Sequence, residues 1–333
     1  MSEIKADPAR QIPYVLAINE AVSQIMEEMD DTFLAGEDVA GVGGVFGTYR
    51  GLLDKFGEAR VIDTPISEKG IIGLAVGAAA TGLRPIVDIM FMDFIGVCMD
   101  EISNQMAKMR YMFGGTARLP ITLVTMGGAG LNMAAQHSQS LEAWLAHLPG
   151  LKVVMPTTPY DAKGLLVSAV RDDNPVIVIF NKLSLGRMGE VPEQLYEVPL
   201  GVANVVRQGD NLTIVALGRM LFEALDAADR LAEKGVQVEV IDPRTIQPFD
   251  TQTVIDSVKK THHALVVHEA VRFGGIGGEI VAQIQEYAFD YLNAPVARVG
   301  APFCPVPFNP KLEQHYMPNA DKIVAEVERL LDL

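Results

Sequence analysis

The residues with the clearest chemical potential in this 333-residue sequence sit in Asp63-Thr-Pro-Ile-Ser-Glu68, where a strand-like run passes into a helix expected over residues 68–81. Ser67 is placed to cap that helix and Glu68 to face its positive end. The helix consists almost wholly of Gly, Ala and aliphatic residues, which predicts burial, and a buried carboxylate requires a partner. Two readings of Glu68 follow: a helix-end charge, or a contact to a ligand. His137 is the second candidate. It follows the loop Gly127-Gly-Ala-Gly130 and precedes a helix expected to begin near Ser138, so it reads either as a structural residue beside a cap or as a proton-transfer group. His262, His263 and His268 lie along a turn and a strand without a complete ligand set and read as structural. Neither Gly41-Val-Gly-Gly-Val-Phe-Gly47 nor Gly274-Gly-Ile-Gly-Gly278 has the Gly-x-Gly-x-x-Gly spacing of a nicotinamide-nucleotide fingerprint.

The elements that must position these groups follow from periodicity. Apolar positions 14, 18, 21, 22, 25, 26 and 29 recur at helical spacing, predicting an amphipathic helix over residues 14–29. Short β-rich runs at 32–34, 60–62, 85–90, 121–126, 152–155 and 176–180 then alternate with helices near 68–81, 96–112, 139–147 and 160–171. That rhythm predicts an α/β domain with a mainly parallel sheet. The turn-rich stretch 186–199 carries Gly186, Gly189, Pro192 and Pro199 and reads as a linker. Beyond it, strands at 212–217, 236–241, 264–267 and 296–299 and helices at 221–234 and 320–331 form a second alternation. The expected organisation is two α/β domains, residues 1–190 and 201–333, joined by a linker at 191–200.

Six motifs, in order across essentially the whole chain, carry a family resemblance: Asp63-Thr-Pro-Ile-Ser-Glu68, Gly82-Leu-Arg-Pro85, Ala134-Ala-Gln-His-Ser-Gln139, Leu148-Pro-Gly-Leu-Lys-Val153, Asp161-Ala-Lys-Gly-Leu165 and Asp242-Pro-Arg-Thr-Ile246. Together they resemble the E1 β subunits of thiamin-diphosphate-dependent 2-oxo acid dehydrogenase complexes. The resemblance implies an N-terminal pyrimidine-binding domain and a C-terminal transketolase-like domain. It assigns Glu68 to N1′ of the thiamin aminopyrimidine, where a shared proton favours the imino tautomer whose 4′-nitrogen deprotonates thiazolium C2. Phe94 matches the aromatic residue packed on the aminopyrimidine, with Met90 in the same segment; core packing is the alternative for both. His137 matches the histidine that assists transfer of the two-carbon unit to the lipoyl group of E2.

The same resemblance implies a structural K⁺ held largely by carbonyls, at the positions Ile121, Ala169, Asp172 and Asn174; the alternative is that Asp172-Asp-Asn-Pro175 only ends a helix. In this class Mg²⁺ and the diphosphate are bound by a Gly-Asp-Gly motif with a later Asn, and Gly-Asp-Gly is absent from this sequence. The implied arrangement is an α2β2 heterotetramer in which an E1 α subunit holds Mg²⁺, while the C-terminal domain docks the subunit-binding domain of E2. The stretches Asp88-Ile-Met-Phe-Met-Asp-Phe-Ile-Gly96, Arg110-Tyr-Met-Phe-Gly-Gly115 and Pro305-Val-Pro-Phe308 resemble acetoin dehydrogenase β subunits more than pyruvate or branched-chain ones. The shorter run Gly36-Glu-Asp-Val-Ala-Gly-Val-Gly-Gly44, and Asn181-Lys182 in place of a common acidic residue, depart from that pattern. A non-catalytic scaffold subunit is the reading from a different class.

Composition sets the outer bounds. A net charge of −15 disfavours nucleic acid and anionic membrane as partners. The mixed charges of residues 1–11 offer no secretory signal, and the low-polarity stretch 70–83 is too short to span a bilayer, so a cytoplasmic location is expected. Cys98 and Cys304, both in apolar sequence surroundings, are expected as core thiols.

Overall fold

A computed structural model of the chain describes residues 10–332. The segment 1–11, read for targeting signals, therefore lies outside the described residues except for positions 10 and 11. In the first half the elements are β1 (Gln11–Pro13), α1 (Tyr14–Glu28), β2 (Thr32–Gly36), α2 (Leu52–Phe56), β3 (Val61–Asp63), α3 (Glu68–Ala80), β4 (Arg84–Ile89), α4 (Met109–Met112), β5 (Thr122–Gly127), α5 (Glu142–Ala146), β6 (Lys152–Val154), α6 (Pro159–Arg171), β7 (Val176–Asn181) and β8 (Met188–Glu190). In the second half they are β9 (Asn204–Arg207), β10 (Leu212–Ala216), α7 (Met220–Ala232), β11 (Val238–Asp242), β12 (Thr245–Gln247), α8 (Thr251–Thr261), β13 (Ala264–Val271), α9 (Gly277–Ala288), β14 (Ala297–Ala301), α10 (Pro310–Tyr316) and α11 (Ala320–Leu330).

The first sheet runs β12-β6-β7-β5-β4-β2-β3 and the second β14-β13-β10-β11-β9. Both are parallel except at one edge strand, β12 against β6 and β9 against β11. Strands β2 and β5 are buried along their whole length, as apolar runs must be when helices cover both faces of a parallel sheet. One core lies under α1 and α6, where Tyr14, Ile18, Val22 and Ile25 meet Leu166, Val170 and Phe180. A second continues from α3 through Ile89, Ile121 and Ile177 to Val215, Val254 and Ile280 of the second half. The halves are thus welded by a shared core and by β12, which leaves the second half to pair with β6 of the first.

Several expectations need correction. The region expected as one helix over 96–112 is a 3₁₀ turn at Met92–Cys98, a π-helical turn at Glu101–Met106 and the short α4. No helix begins near Ser138; residues 128–141 are irregular and α5 starts only at Glu142. Helix α3 is not wholly buried: Ile71, Ile72, Ala75, Val76 and Ala79 face the core, but Gly73, Gly77 and Leu74, 44% exposed, lie on an open face. Apolar all-round composition predicts a covered helix, and the described residues leave one side of this one open. Cys98 is buried, but Cys304 is exposed on an irregular loop rather than in the core. The stretch 186–199 is also held in place, since β8 pairs with β1 and the Val198 carbonyl accepts a hydrogen bond from Ser168.

Candidate active site

The candidate residues leave the sheet at the same end. Glu37 follows β2, Glu68 follows β3, Met90 and Phe94 follow β4, His137 lies on the loop after β5, and Asn181-Lys182 end β7. In open α/β sheets the crevice beyond the carboxyl ends of the strands is where ligands bind, because loops from neighbouring strands converge there.

Ser67 does cap α3, its hydroxyl accepting from the Gly70 amide at 3.3 Å. Asp63 accepts from the amides of Ala40 and Gly41 at 2.7 and 3.0 Å, tying the Gly-rich loop after β2 to the start of the motif. Glu68 itself is half-buried on the first turn of α3. Its neighbour Glu37 has one carboxylate oxygen buried with no hydrogen-bond partner, and burial followed by the Glu68 charge pushes the Glu37 carboxyl above the usual range. Behind them Asp88 accepts from the Tyr49 hydroxyl at 2.7 Å. Burial raises Asp88 to about 7, the Tyr49 hydrogen bond opposes this, and Glu37 adds to it. Three carboxyls thus line one corner with few donors among the described residues.

Phe94 and His137 come together from separate loops, their rings 5.4 Å apart and edge to face, while Phe91 lies 4.9 Å from His137. Lys182 completes this wall: its ammonium donates to the His137 carbonyl and lies 5.3 Å from the Phe91 ring centre. Burial pulls the Lys182 ammonium down to about 8, with Asp93, Glu269 and Glu313 acting in the opposite sense. Met90 is half-buried at the end of β4.

The loop that carries His137 is anchored from the second half of the chain. Glu269 on β13 accepts from the Ala129 amide at 2.6 Å and from the Asn181 side chain at 3.0 Å. Glu313 on α10 accepts from the amides of Gly130 and Asn132 at 2.7 and 2.9 Å. Gly128, with φ +94°, has to be glycine: a Cβ there would lie 2.4 Å from the Asn181 side-chain nitrogen and 2.9 Å from Glu269. Glu37, Lys182, Glu269 and Glu313 were not singled out from the sequence as site residues. Charged residues at the ends of apolar strand runs were the available signal for Lys182 and Glu269.

Ile121, Ala169, Asp172 and Asn174 also meet, at the opposite end of the sheet. The Ile121 carbonyl accepts from the Val176 amide at 2.9 Å and the Ala169 carbonyl from the Asp172 amide at 3.3 Å. Asn174 donates to Asp172 through backbone and side chain at 2.8 Å each, Lys152 forms an ion pair with the same carboxylate, and Arg84 donates to the Asp172 carbonyl at 3.2 Å. Burial favours the neutral Asp172 carboxyl, but these donors outweigh it and hold the group below the usual range. Two protein cations therefore already face this corner.

The glycines of 274–278 serve a different purpose from nucleotide binding. Cβ atoms at Gly275 and Gly277 would lie 2.7 and 2.5 Å from the ring of His268, which is fully buried on β13, so these positions make room for an imidazole.

Two family models match the chain in succession: the transketolase pyrimidine-binding domain over residues 10–187 and the transketolase C-terminal domain over residues 201–323. The chain is 47% identical to an acetoin:2,6-dichlorophenolindophenol oxidoreductase β subunit of Bacillus subtilis, and 46% identical to the one of Cupriavidus necator, over 97% of this chain and 98% of each relative. It is 43% identical to the pyruvate dehydrogenase E1 component β subunit of Bacillus subtilis, over 97% of this chain and 99% of that one. Among solved structures, an inactive β4 tetramer of a split-gene transketolase matches with a TM-score of 0.80 at 23% identity, covering 97% of this chain and 99% of that one, which bears on the fold alone. The carboxylate-headed helix, the histidine loop and the two successive domains belong together, and the chain is a member of the E1 β-subunit family of thiamin-diphosphate-dependent acetoin and 2-oxo acid dehydrogenases, an oxidoreductase component.

Proposed function

We propose that this chain supplies the pyrimidine side of a thiamin diphosphate site shared with an E1 α subunit in an α2β2 heterotetramer, and that the substrate is acetoin; pyruvate or a branched-chain 2-oxo acid is the alternative. The observation that carries the reading is that the Phe94–His137 ring pair and the Glu37–Glu68 carboxylate pair both lie on segments that leave the same end of one parallel sheet. The residues fit an aminopyrimidine. A partnerless buried oxygen on Glu37, crowded by Glu68, calls for a ligand bearing N–H donors, and Phe94 offers an apolar ring beside it. When bound, thiamin diphosphate supplies a thiazolium carbon that attacks the substrate carbonyl once it has lost its proton.

The protein side chains have separate tasks in this reading. Glu68 shares a proton with the ring nitrogen N1′, an interaction strengthened by its partly desolvated position. Phe94 and Met90 hold the pyrimidine ring in place. His137 moves a proton when the acyl unit passes to the lipoyl group of E2, and Lys182, through the His137 carbonyl, fixes the loop that presents it. The chain contains no Gly-Asp-Gly, so Mg²⁺ and the diphosphate are assigned to the α subunit. The open face of α3 is a surface such a partner can cover. The division at residues 191–200, docking of the E2 subunit-binding domain on the second domain, and a cytoplasmic location belong to the same proposal. No helix among the described residues is long and apolar enough to cross a membrane.

A monovalent cation at Ile121, Ala169, Asp172 and Asn174 also remains part of the proposal; its carbonyl oxygens retain free lone pairs, although Lys152 and Arg84 compete for the same corner. The acetoin assignment is supported by the 47% and 46% identities against 43% for the pyruvate-type relative, and by the segments 88–96, 110–115 and 305–308. A pure scaffold has no use for a carboxylate cluster opposite an aromatic and histidine wall.

Purified alone, the chain is expected to show no thiamin-dependent turnover; co-expression with an α subunit carrying Gly-Asp-Gly should restore acetoin cleavage in the presence of thiamin diphosphate and Mg²⁺. Robust Mg²⁺-dependent activity from the β chain alone would rule out the shared site.

A further inference from the structure

Far from the histidine loop in composition, the second half of the chain holds a concentration of positive charge. A cavity of about 580 Å³ is lined by Arg272, Arg298, His315 and Lys322, with Phe273 and Phe303 at its rim. The chain carries a net charge of −15, and most of its lysines and arginines near a carboxylate are paired with it. None of these four residues forms an ion pair among the described residues. Arg298 donates instead to the Arg272 carbonyl at 3.1 Å, and Lys322 to the carbonyls of His315 and Met317 at 2.6 and 2.8 Å. These contacts hold Arg298 and Lys322 in position without neutralising them.

The field of this cluster reaches the core. Behind Gly300, His268 is fully buried, and burial, then the Arg298 charge, hold its imidazole down at about 4, with the Ala270 backbone acting in the opposite sense and Arg272 adding to the fall. The interior side of the cavity therefore adds no further positive charge through this ring. Cations gathered around one open concave surface attract an anion, and guanidinium and ammonium groups so arranged suit phosphate oxygens. The cavity is much larger than a phosphate ion and lies within the range of small-molecule sites. Its aromatic rim gives the remaining volume a chemistry: Phe273 and Phe303, 73% and 74% exposed, pack edge to face at 5.1 Å and present apolar ring surface beside the cations.

We propose that this cavity binds a small phosphorylated ring compound of the nucleoside phosphate class, with Arg272, Arg298 and Lys322 on the phosphates and Phe273 and Phe303 against the ring. The site uses none of the residues assigned above to the strand-end crevice, and Phe303 stands between it and the pocket that reaches Ala135 and Gln139 of the histidine loop.

The test is calorimetry on the assembled enzyme, first saturated with thiamin diphosphate and Mg²⁺ so that the cofactor site is closed to the probes. ADP, inorganic phosphate and adenosine are titrated in turn. ADP should bind saturably at one site per β chain, phosphate should bind more weakly and compete with it, and adenosine should bind far less well. Arg298→Gln and Lys322→Gln should each weaken ADP by about 10-fold or more, the loss expected for one charge-assisted contact. Phe303→Ala should weaken ADP but leave phosphate unchanged. ADP affinity unaltered in both charge variants, or adenosine binding as well as ADP, overturns the proposal. So does the absence of saturable ADP binding, the outcome expected if an acidic segment of a partner protein fills the cavity instead.

Discussion

At the level of single residues, the site is governed by carboxyls whose charge is costly. Asp88 is the clearest case, because burial raises its pKa from 3.8 to about 7 while only Tyr49 donates to it. The folded state then binds a proton that the unfolded state releases between those two values. Stability contributed by the neutral Asp88 is fully present below pH 3.8 and is lost as pH rises through about 7. Asp88→Asn should therefore flatten the fall in stability across that interval, read from urea midpoints as a function of pH. An unchanged pH profile would mean that Asp88 is ionised in the folded protein. Glu68 and His137 could be picked out from the sequence because each sits inside a contiguous motif. Glu37 could not, because what gives it meaning is Glu68 on another strand's loop, and Lys182, although it stands at the end of an apolar strand run, is tied to the site only through the His137 carbonyl.

At the level of elements, periodicity read the regular parts well and failed where tertiary contacts dictate the backbone. Helix α1 was expected at 14–29 and runs Tyr14–Glu28, and the six expected strands of the first half all form within a residue or two of their predicted ends. The stretch 96–112 has the composition of a helix, yet it is divided into 3₁₀, π and α turns. Helices α8, α9 and α10 were not foreseen; the first turn of α9 is glycine-rich, and glycine is a poor helix former whose presence there is explained by the His268 ring. The loop from 128 to 141 depends least on local sequence, since Glu269 and Glu313 fix it from the other half of the chain. Glu313→Gln removes the charge from two partly buried hydrogen bonds and should cost about 1.5–3 kcal/mol. Amide hydrogen exchange at residues 129–132 should accelerate, with a fall in acyl transfer because the histidine loop is loosened. Exchange at the wild-type rate would show that the loop holds its shape without that anchor.

At the level of the whole molecule, alternating strands and helices made two α/β units legible, but not the way they are joined. Strand β12 crosses from the second half to pair with β6, and one apolar core runs beneath both sheets, so the histidine loop and its anchors belong to one packed unit. The open face of α3 could not be foreseen either, because an apolar helix does not disclose whether its cover belongs to the same chain. In the proposed reading a second subunit completes the site beside that face, and Glu68 is the group that acts on the pyrimidine. The direct measurement is hydrogen–deuterium exchange at C2 of thiamin diphosphate bound to the assembled α2β2 enzyme, comparing wild type with Glu68→Gln. Gln keeps the size and polarity of Glu but cannot share a proton with N1′, so exchange and turnover should fall together by ~100-fold or more while assembly and cofactor binding persist. If Glu68→Gln binds the cofactor and exchanges C2 at the wild-type rate, Glu68 is only a helix-end charge and the account is wrong.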